Sequence, residues 1–380
     1  MTRALCVALA LTVTTAPLQA QGGRIPRKWF MAGVGALLTG TMAAGYALAF
    51  DRDVGGCSRV ACVTPISVAL GGLVGFMIGK EMDDLYAVRY SHAPPIKLRG
   101  RELPLSLIPN DVSVHDSTIL ITGADGVELV QVGPALERLG LRARGLRGIG
   151  AVMAHDRRNL LLVGSAVGLY RFPLRGEDPG TLAYQGEISA VGGQGSALLL
   201  GLGLGVQLAR VRDSVEVMGP SLAEHARVVD VAWQDPQTVW VLTEERLAAY
   251  SVDGDSLALR GTLEFPFLGR RVTIAGSTAL VSAGSGGLYA IDIRNPDAPA
   301  EIANWSGARF VYDAAWRDGT AYVAGGPEGL YILRLTSDGF TAVGLSRSVG
   351  FVAAVEAGPD AIYVLDRTGT ALRRLDPLPD

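Results

Sequence analysis

The sequence predicts an all-β fold: a seven-bladed β-propeller closed by an N-terminal strand, preceded by a membrane-type α-helical hairpin. Three observations predict the propeller. A short strand-like segment recurs as Gly126-Val-Glu-Leu-Val-Gln-Val, Gly168-Leu-Tyr-Arg-Phe-Pro-Leu, Gly205-Val-Gln-Leu-Ala-Arg-Val, Arg246-Leu-Ala-Ala-Tyr-Ser-Val, Gly287-Leu-Tyr-Ala-Ile-Asp-Ile, Gly329-Leu-Tyr-Ile-Leu-Arg-Leu and Thr370-Ala-Leu-Arg-Arg-Leu-Asp. Successive starts lie 42, 37, 41, 41, 42 and 41 residues apart, the period of a four-stranded propeller blade. Each unit repeats the same order of apolar strand, polar turn, β-branched strand, tight turn and alternating strand, followed by a less regular fourth strand. Finally, the last unit ends after its third strand, at Leu375-Asp376-Pro377, while a spare strand, Ile96–Leu103, stands ahead of the first unit. Pairing the two sews the ring shut and removes an exposed edge.

The chain begins with Arg3, an apolar run from Ala4 to Val13, and Pro17-Leu-Gln-Ala20 before Gln21. The small residue at position 20 suits a signal peptidase, so residues 1–20 are expected to be an export signal; an uncleaved anchor is the alternative. Arg24, Arg27 and Lys28 precede a second apolar run, Trp29 to Phe50, uncharged for 22 residues. At about 1.5 Å per residue such a helix spans a bilayer's hydrocarbon. A shorter run, Ile66 to Gly79, follows. Small residues recur at four-residue spacing in both: Ala32, Ala36, Gly40 and Ala44, then Gly71, Gly75 and Gly79. Such a stripe on one helix face lets two backbones approach closely. Residues 21–95 therefore read as a glycine-zipper helical hairpin and connector, similar to the two-helix zipper domains of bacterial envelope proteins; a soluble apolar hairpin docked on another protein is the alternative.

Cys57 and Cys62 lie between the two runs. They are a disulfide pair if the loop meets an oxidising compartment, or two thiols if it does not. After residue 79 the chain turns polar, and Pro94-Pro95 stops any helix. The propeller is assigned to residues 96–380. Inner strands are expected at Val228–Trp233 and Val311–Trp316, and second strands at Leu160–Val163 and Val239–Leu242. Asp125-Gly126, Gly286-Gly287 and Glu328-Gly329 are expected to supply the positive φ of hairpin turns. The run Leu198–Leu204 implies a strand buried on both faces, or a surface that expects a partner.

The unit Gly286-Gly-Leu-Tyr-Ala-Ile-Asp-Ile-Arg-Asn-Pro-Asp-Ala-Pro299 resembles the LVIVD repeat of bacterial surface-associated propellers, with partial matches at 329–335 and 168–174. The resemblance implies an extracytoplasmic β-propeller and carries no catalytic residue with it.

For chemistry, one set of residues falls at one repeat position. Asp111, Asp230 and Asp313 each lie five residues before the Asp of the first turn, and Arg271 occupies the matching slot of the fifth unit. First strands line a propeller's central channel. These side chains could ring one channel mouth and hold a cation or polar ligand, or simply bond to neighbouring backbone at strand ends. His115 and His155 share a turn slot that elsewhere holds Gln234 and Arg317, so they do not read as a ligand set. No Gly-x-Ser-x-Gly elbow is present, and Gly201-Leu-Gly-Leu-Gly205 joins strand to strand rather than opening a helix. No cofactor or metal is expected.

The net charge of −3 and a pI near 5.9, with no basic run interleaved with aromatics, exclude a nucleic-acid partner. The leading expectation is a non-enzymatic protein-interaction scaffold, exported and held at the cell envelope through its hairpin, with another envelope protein as partner. The competing expectation is an envelope enzyme, or a carbohydrate or cation binder, using the channel carboxylates.

Overall fold

The computed structural model describes residues 93–377, apart from residues 134, 156, 157 and 177, together with Ala36 and Val74, both helical. The export signal, the glycine-zipper helices with Gly40, Gly71, Gly75 and Gly79, and the Cys57/Cys62 pair lie outside the described residues. Among those described, no helix is long and apolar enough to cross a membrane.

Seven antiparallel sheets follow one another along the chain, six with their strands in sequence order from inside to outside and the seventh completed on its outside by a strand from the start of the propeller. The inner strands are Pro109–His115, Ile149–His155, Ala190–Gln194, Val228–Asp235, Arg271–Ala275, Asp313–Arg317 and Val352–Ala357. They open blades 1 to 7. The second strands are the most deeply buried: every residue of Thr118–Gly123, Leu160–Ser165 and Thr238–Thr243 is inaccessible or nearly so. Both faces of such a strand pack against a neighbouring blade, so it reads as a continuous apolar run rather than an alternating one. The two readings of Leu198–Leu204 divide accordingly: Leu198, Leu199 and Leu200 are buried, whereas Leu204 is exposed.

The core falls into seven apolar clusters, one between each pair of adjacent blades. Ile119, Ile121 and Val130 of blade 1 meet Tyr363, Leu365 and Leu372 of blade 7 in the cluster that closes the ring. Leu120 and Leu129 meet Leu161 and Val163 in the next, and Trp240 and Leu242 meet Val281 and Ile291 between blades 4 and 5. Seven interfaces for seven blades leave no terminal blade with an uncovered apolar face. Turn glycines answer to backbone crowding. Gly287 and Gly329 sit at φ +95° and +107°, and a Cβ at either would collide with the carbonyl oxygen of Trp305 or Ser346 in the outer strand. Gly126 does not take the expected positive φ. In the turns after the first strands Asp116 and Asp318 do instead, at φ 46° and 48°.

The closing strand pairs with the last blade as expected but is displaced. Gly100–Pro104 runs antiparallel to Ala371–Leu375, with Gly100 opposite Leu375 and Pro104 opposite Ala371. The expected start at residue 96 is corrected. The Ile96 N–H donates to the Leu345 carbonyl (3.0 Å), and the Leu345 N–H donates to Pro94 O (2.8 Å). Pro94–Ile96 thus latches onto blade 6, in its outer strand Gly339–Ser346, before the chain crosses to blade 7. Gly344 leaves the space that Ile96 fills, and Ile96 and Leu98 pack on the cluster between these two blades. Burial of those side chains fixes the crossing point.

Candidate functional site

The inner strands bring the four residues of the repeat slot together at one end of the channel. A register shift immediately precedes the slot in four blades: between Pro109 and Asp111, Ile149 and Ala151, Val228 and Asp230, and Val352 and Ala354. A bulge re-aims the side chain that follows it. Asp111 and Asp230 follow such a shift, whereas Asp313 holds the same slot with none in its ladder.

The Asp230 Oδ1 accepts the N–H of Val231 (2.9 Å), and its Oδ2 accepts the N–H of Val272 in blade 5 (3.0 Å). Asp313 repeats this between blades 6 and 7, accepting from Ala314 (2.8 Å) and Val355 (3.0 Å). Each carboxylate clamps one inner strand to the next. Asp111 accepts the Val112 N–H at 2.9 Å, but its second oxygen meets a different partner. Arg271 reaches across the channel from blade 5 to pair with Asp111, and its other terminal nitrogen lies 3.9 Å from Asp230.

One member of the site was missing from the sequence reading. Glu356 stands two residues beyond the slot on the inner strand of blade 7 and lines the same cavity, of about 380 Å³, as Asp111, Asp230, Arg271 and Asp313. The period-2 alternation of a strand puts it on the channel face with residue 354. One guanidinium therefore faces four carboxyl groups. Burial pushes the Glu356 carboxyl up to about 8, helped by the charges of Asp313 and Asp230 and opposed by Arg271. Burial likewise raises Asp230 to about 7, against the pull of its two backbone donors and with a further push from Asp313. Asp313 is raised by burial, with Arg271 and its two backbone donors opposing. Burial, with mutual repulsion at Glu356 and Asp230, thus favours the protonated forms of Glu356, Asp230 and Asp313 over their charged ones. Among the described residues no group of three or more His, Cys, Asp or Glu is arranged to hold a metal ion.

The turn-slot residues tie neighbouring blades together at the opposite end. His155 Nε2 lies 3.0 Å from the Gly195 carbonyl oxygen, and Arg317 Nη1 donates to Gly358 O at 2.8 Å. Both reach the first turn of the following blade.

A second feature follows from strand direction. In a four-stranded antiparallel blade, the connections from second to third strand and from one blade to the next emerge on the same side. Ile108, Val167, Leu204 and Leu268 all lie in these connections and are 58 to 63% exposed. In the turns on the other side, which include Asp116-Ser117, Pro236-Gln237 and Asp318-Gly319, no large apolar side chain of the described residues is exposed; the propeller's remaining exposed ones, Leu139, Leu182, Val217, Leu259 and Ile302, stand in the outer strands. The apolar face also carries a cleft of about 660 Å³ lined by residues of blades 4 and 5 and of the connections into blades 4, 5 and 6. Phe265, Phe267 and Phe310 form part of its wall. Beneath it Arg246 pairs with the buried Glu224 at 2.7 Å, and the Tyr250 hydroxyl donates to the same carboxylate.

No protein-family model matches the sequence, and no curated protein matches it. Solved structures match the fold. A chain of a mitotic checkpoint complex crystal structure is 13% identical with a TM-score of 0.63, covering 76% of this chain and 98% of that one. The WD40 β-propeller domain of Doa1 is 16% identical with a TM-score of 0.56, over 76% and 97% of the two chains. The WD40 repeats of RRP9 give 10% and 0.58, over 75% and 99%. At these identities the likeness is one of fold: that of a seven-bladed β-propeller.

Proposed function

We propose that this chain is a non-enzymatic protein-interaction scaffold, exported and held at the cell envelope through residues 21–95, that docks a partner protein on the face carrying Ile108, Val167, Leu204 and Leu268. The observation that carries this reading is the asymmetry of the two faces. Four large apolar side chains are spent on one rim, in loops that packing does not oblige to be apolar. Propellers host many activities, so the fold itself is neutral between scaffold and enzyme. The acids of the channel favour the scaffold, because the carboxylates of Asp230 and Asp313 are occupied in bonding adjacent blades. The resemblance of residues 286–299 to the LVIVD repeat, and the uncharged run Trp29–Phe50 behind Arg24, Arg27 and Lys28, support the envelope setting.

The test is co-purification from detergent-solubilised native envelopes. A partner captured by the wild-type chain should be lost with Leu204→Asp plus Leu268→Asp and kept with Gln237→Asp on the other face. Removing residues 21–89, which spares the Pro94–Ile96 latch, should free the chain from the membrane fraction without releasing the partner. Equal capture by the face variant and the wild type would rule the docking face out.

A further inference from the structure

The cleft on the apolar face has a chemical character more specific than apolar. Its aromatic wall is bordered by Glu244, Glu245 and Glu264, none of which forms an ion pair with another described residue. Two arginines line it as well. Arg246 is paired with Glu224, a bond that raises its proton affinity further. Arg270 lies over the Phe310 ring, 5.2 Å from its centroid. That contact is an internal example of what the wall accepts: a guanidinium against an aromatic face. Phe265, whose ring centroid lies 5.3 Å from that of Tyr289, and Phe267 rest half-buried on the core between blades 4 and 5, and what they leave uncovered lines the cleft with negative charge beside it. Glu245 and Glu264 are exposed, so they remain hydrated until a partner arrives, and their attraction acts at a distance that salt can screen.

We infer that the cleft seats an arginine or lysine side chain carried on an extended, apolar-flanked segment of the partner protein. The aliphatic stem and cationic head lie along Phe265 and Phe267, the head is drawn by Glu245 and Glu264, and a flanking apolar residue rests on Leu268. The occupant follows from charge complementarity: an acidic segment would meet three carboxylates, and a purely apolar one would leave them stranded under its cover. A volume of about 660 Å³ holds one long side chain and its neighbours. This inference rests on the docking-face reading above and names the chemistry of the partner at that face.

The experiment uses the full chain in detergent and fluorescein-labelled heptapeptides of alternating leucine and arginine, with glutamine or glutamate replacing arginine in two counterparts. Fluorescence anisotropy should show the arginine peptide binding about tenfold or more tightly than the glutamine peptide at low salt, with the gap closing near 0.5 M sodium chloride. The glutamate peptide should not bind. Glu245→Gln with Glu264→Gln should abolish the arginine preference, and Phe267→Ala should weaken both peptides. Equal binding of the arginine and glutamine peptides, both lost in Leu268→Asp, would overturn the cationic assignment while leaving the docking face intact. So would a failure of every peptide to bind while capture of the envelope partner stays sensitive to Leu204→Asp and Leu268→Asp. Arginine-peptide binding indifferent to all these substitutions would place the segment elsewhere and overturn the cleft.

Discussion

At the scale of single residues, the channel acids divide into two kinds. Asp230 and Asp313 each satisfy two backbone N–H groups, one within their own blade and one in the next. Removing either would strand a donor in the channel wall. Glu356 has no such anchor, and its raised proton affinity has a consequence for stability. With an ordinary value of 4.5 and a folded value of about 8, the side chain is protonated in both states below pH 4.5. Between 4.5 and 8 the unfolded chain gives up this proton while the folded chain retains it. The folded state then binds more protons, and stability falls as pH rises across that window. Above about 8 the loss is complete. Asp230 adds a similar decline between 3.8 and about 7. Glu356→Gln keeps the shape of the group and cannot ionise. Urea unfolding at pH 5 and pH 8 should show the wild type losing more stability than the variant, by on the order of 1–3 kcal/mol. Parallel losses in the two proteins would show that Glu356 ionises as freely in the folded channel as in water.

At the scale of elements, the closing strand shows what could be read in advance and what could not. A three-stranded last unit and a spare strand before the first required each other, because an unpaired edge invites association. Its limits were not legible, since Ile96-Lys-Leu-Arg alternates as well as Arg101-Glu-Leu does. The latch depends on a gap at Gly344, some 250 positions downstream on another blade. The slot acids were legible through the repeat, as equal intervals imply equal places in successive blades. Glu356 left no trace in the repeat, because the matching positions two residues beyond the slot hold Ser113, Ala232, Thr273 and Ala315; only the alternation of the strand points to it. The closing ladder itself yields a prediction. The N–H of Leu105 bonds to Thr370 O and that of Asp376 to Arg99 O, so alternation places the Arg101 N–H inside the ladder and that of Glu102 outside. Arg101→Pro should cost on the order of 2 kcal/mol and promote self-association through the freed edge Ala371–Leu375. Glu102→Pro should be much milder. Thermal unfolding with light scattering compares them, and equal damage from the two would mean the ladder is not what holds the strand.

At the scale of the whole molecule, closure decides how stability is shared. An open array of blades would leave its first and last members covered on one side only, and they would fray before the middle. In the ring, the interface between blades 7 and 1 is as well filled as the others: Ile119, Ile121, Tyr363, Leu365 and Leu372 are wholly buried, as are Trp240, Leu242, Val281 and Ile291 between blades 4 and 5. The face asymmetry belongs to this scale too. It was hidden in the sequence because Ile108 and Leu204 lie far apart in the chain and meet on one rim only when blades stand side by side with alternating strand directions. Hydrogen exchange measures the sharing directly, since amides in fully buried strands exchange only when the surrounding unit opens. The slowest amides of Ile119–Ile121, Leu161–Val163, Leu198–Leu200, Val239–Leu242, Ala279–Val281, Ala321–Ala324 and Ile362–Leu365 should therefore exchange within about tenfold of one another, through a common opening. In Arg101→Pro, protection should fall first in Ile362–Leu365 and in Ile119–Ile121, the two sides of the seam, while blades 3 and 4 keep theirs. Much faster exchange in blades 1 and 7 of the wild type would mean that the seam contributes little, and that the ring is held chiefly by its other six interfaces.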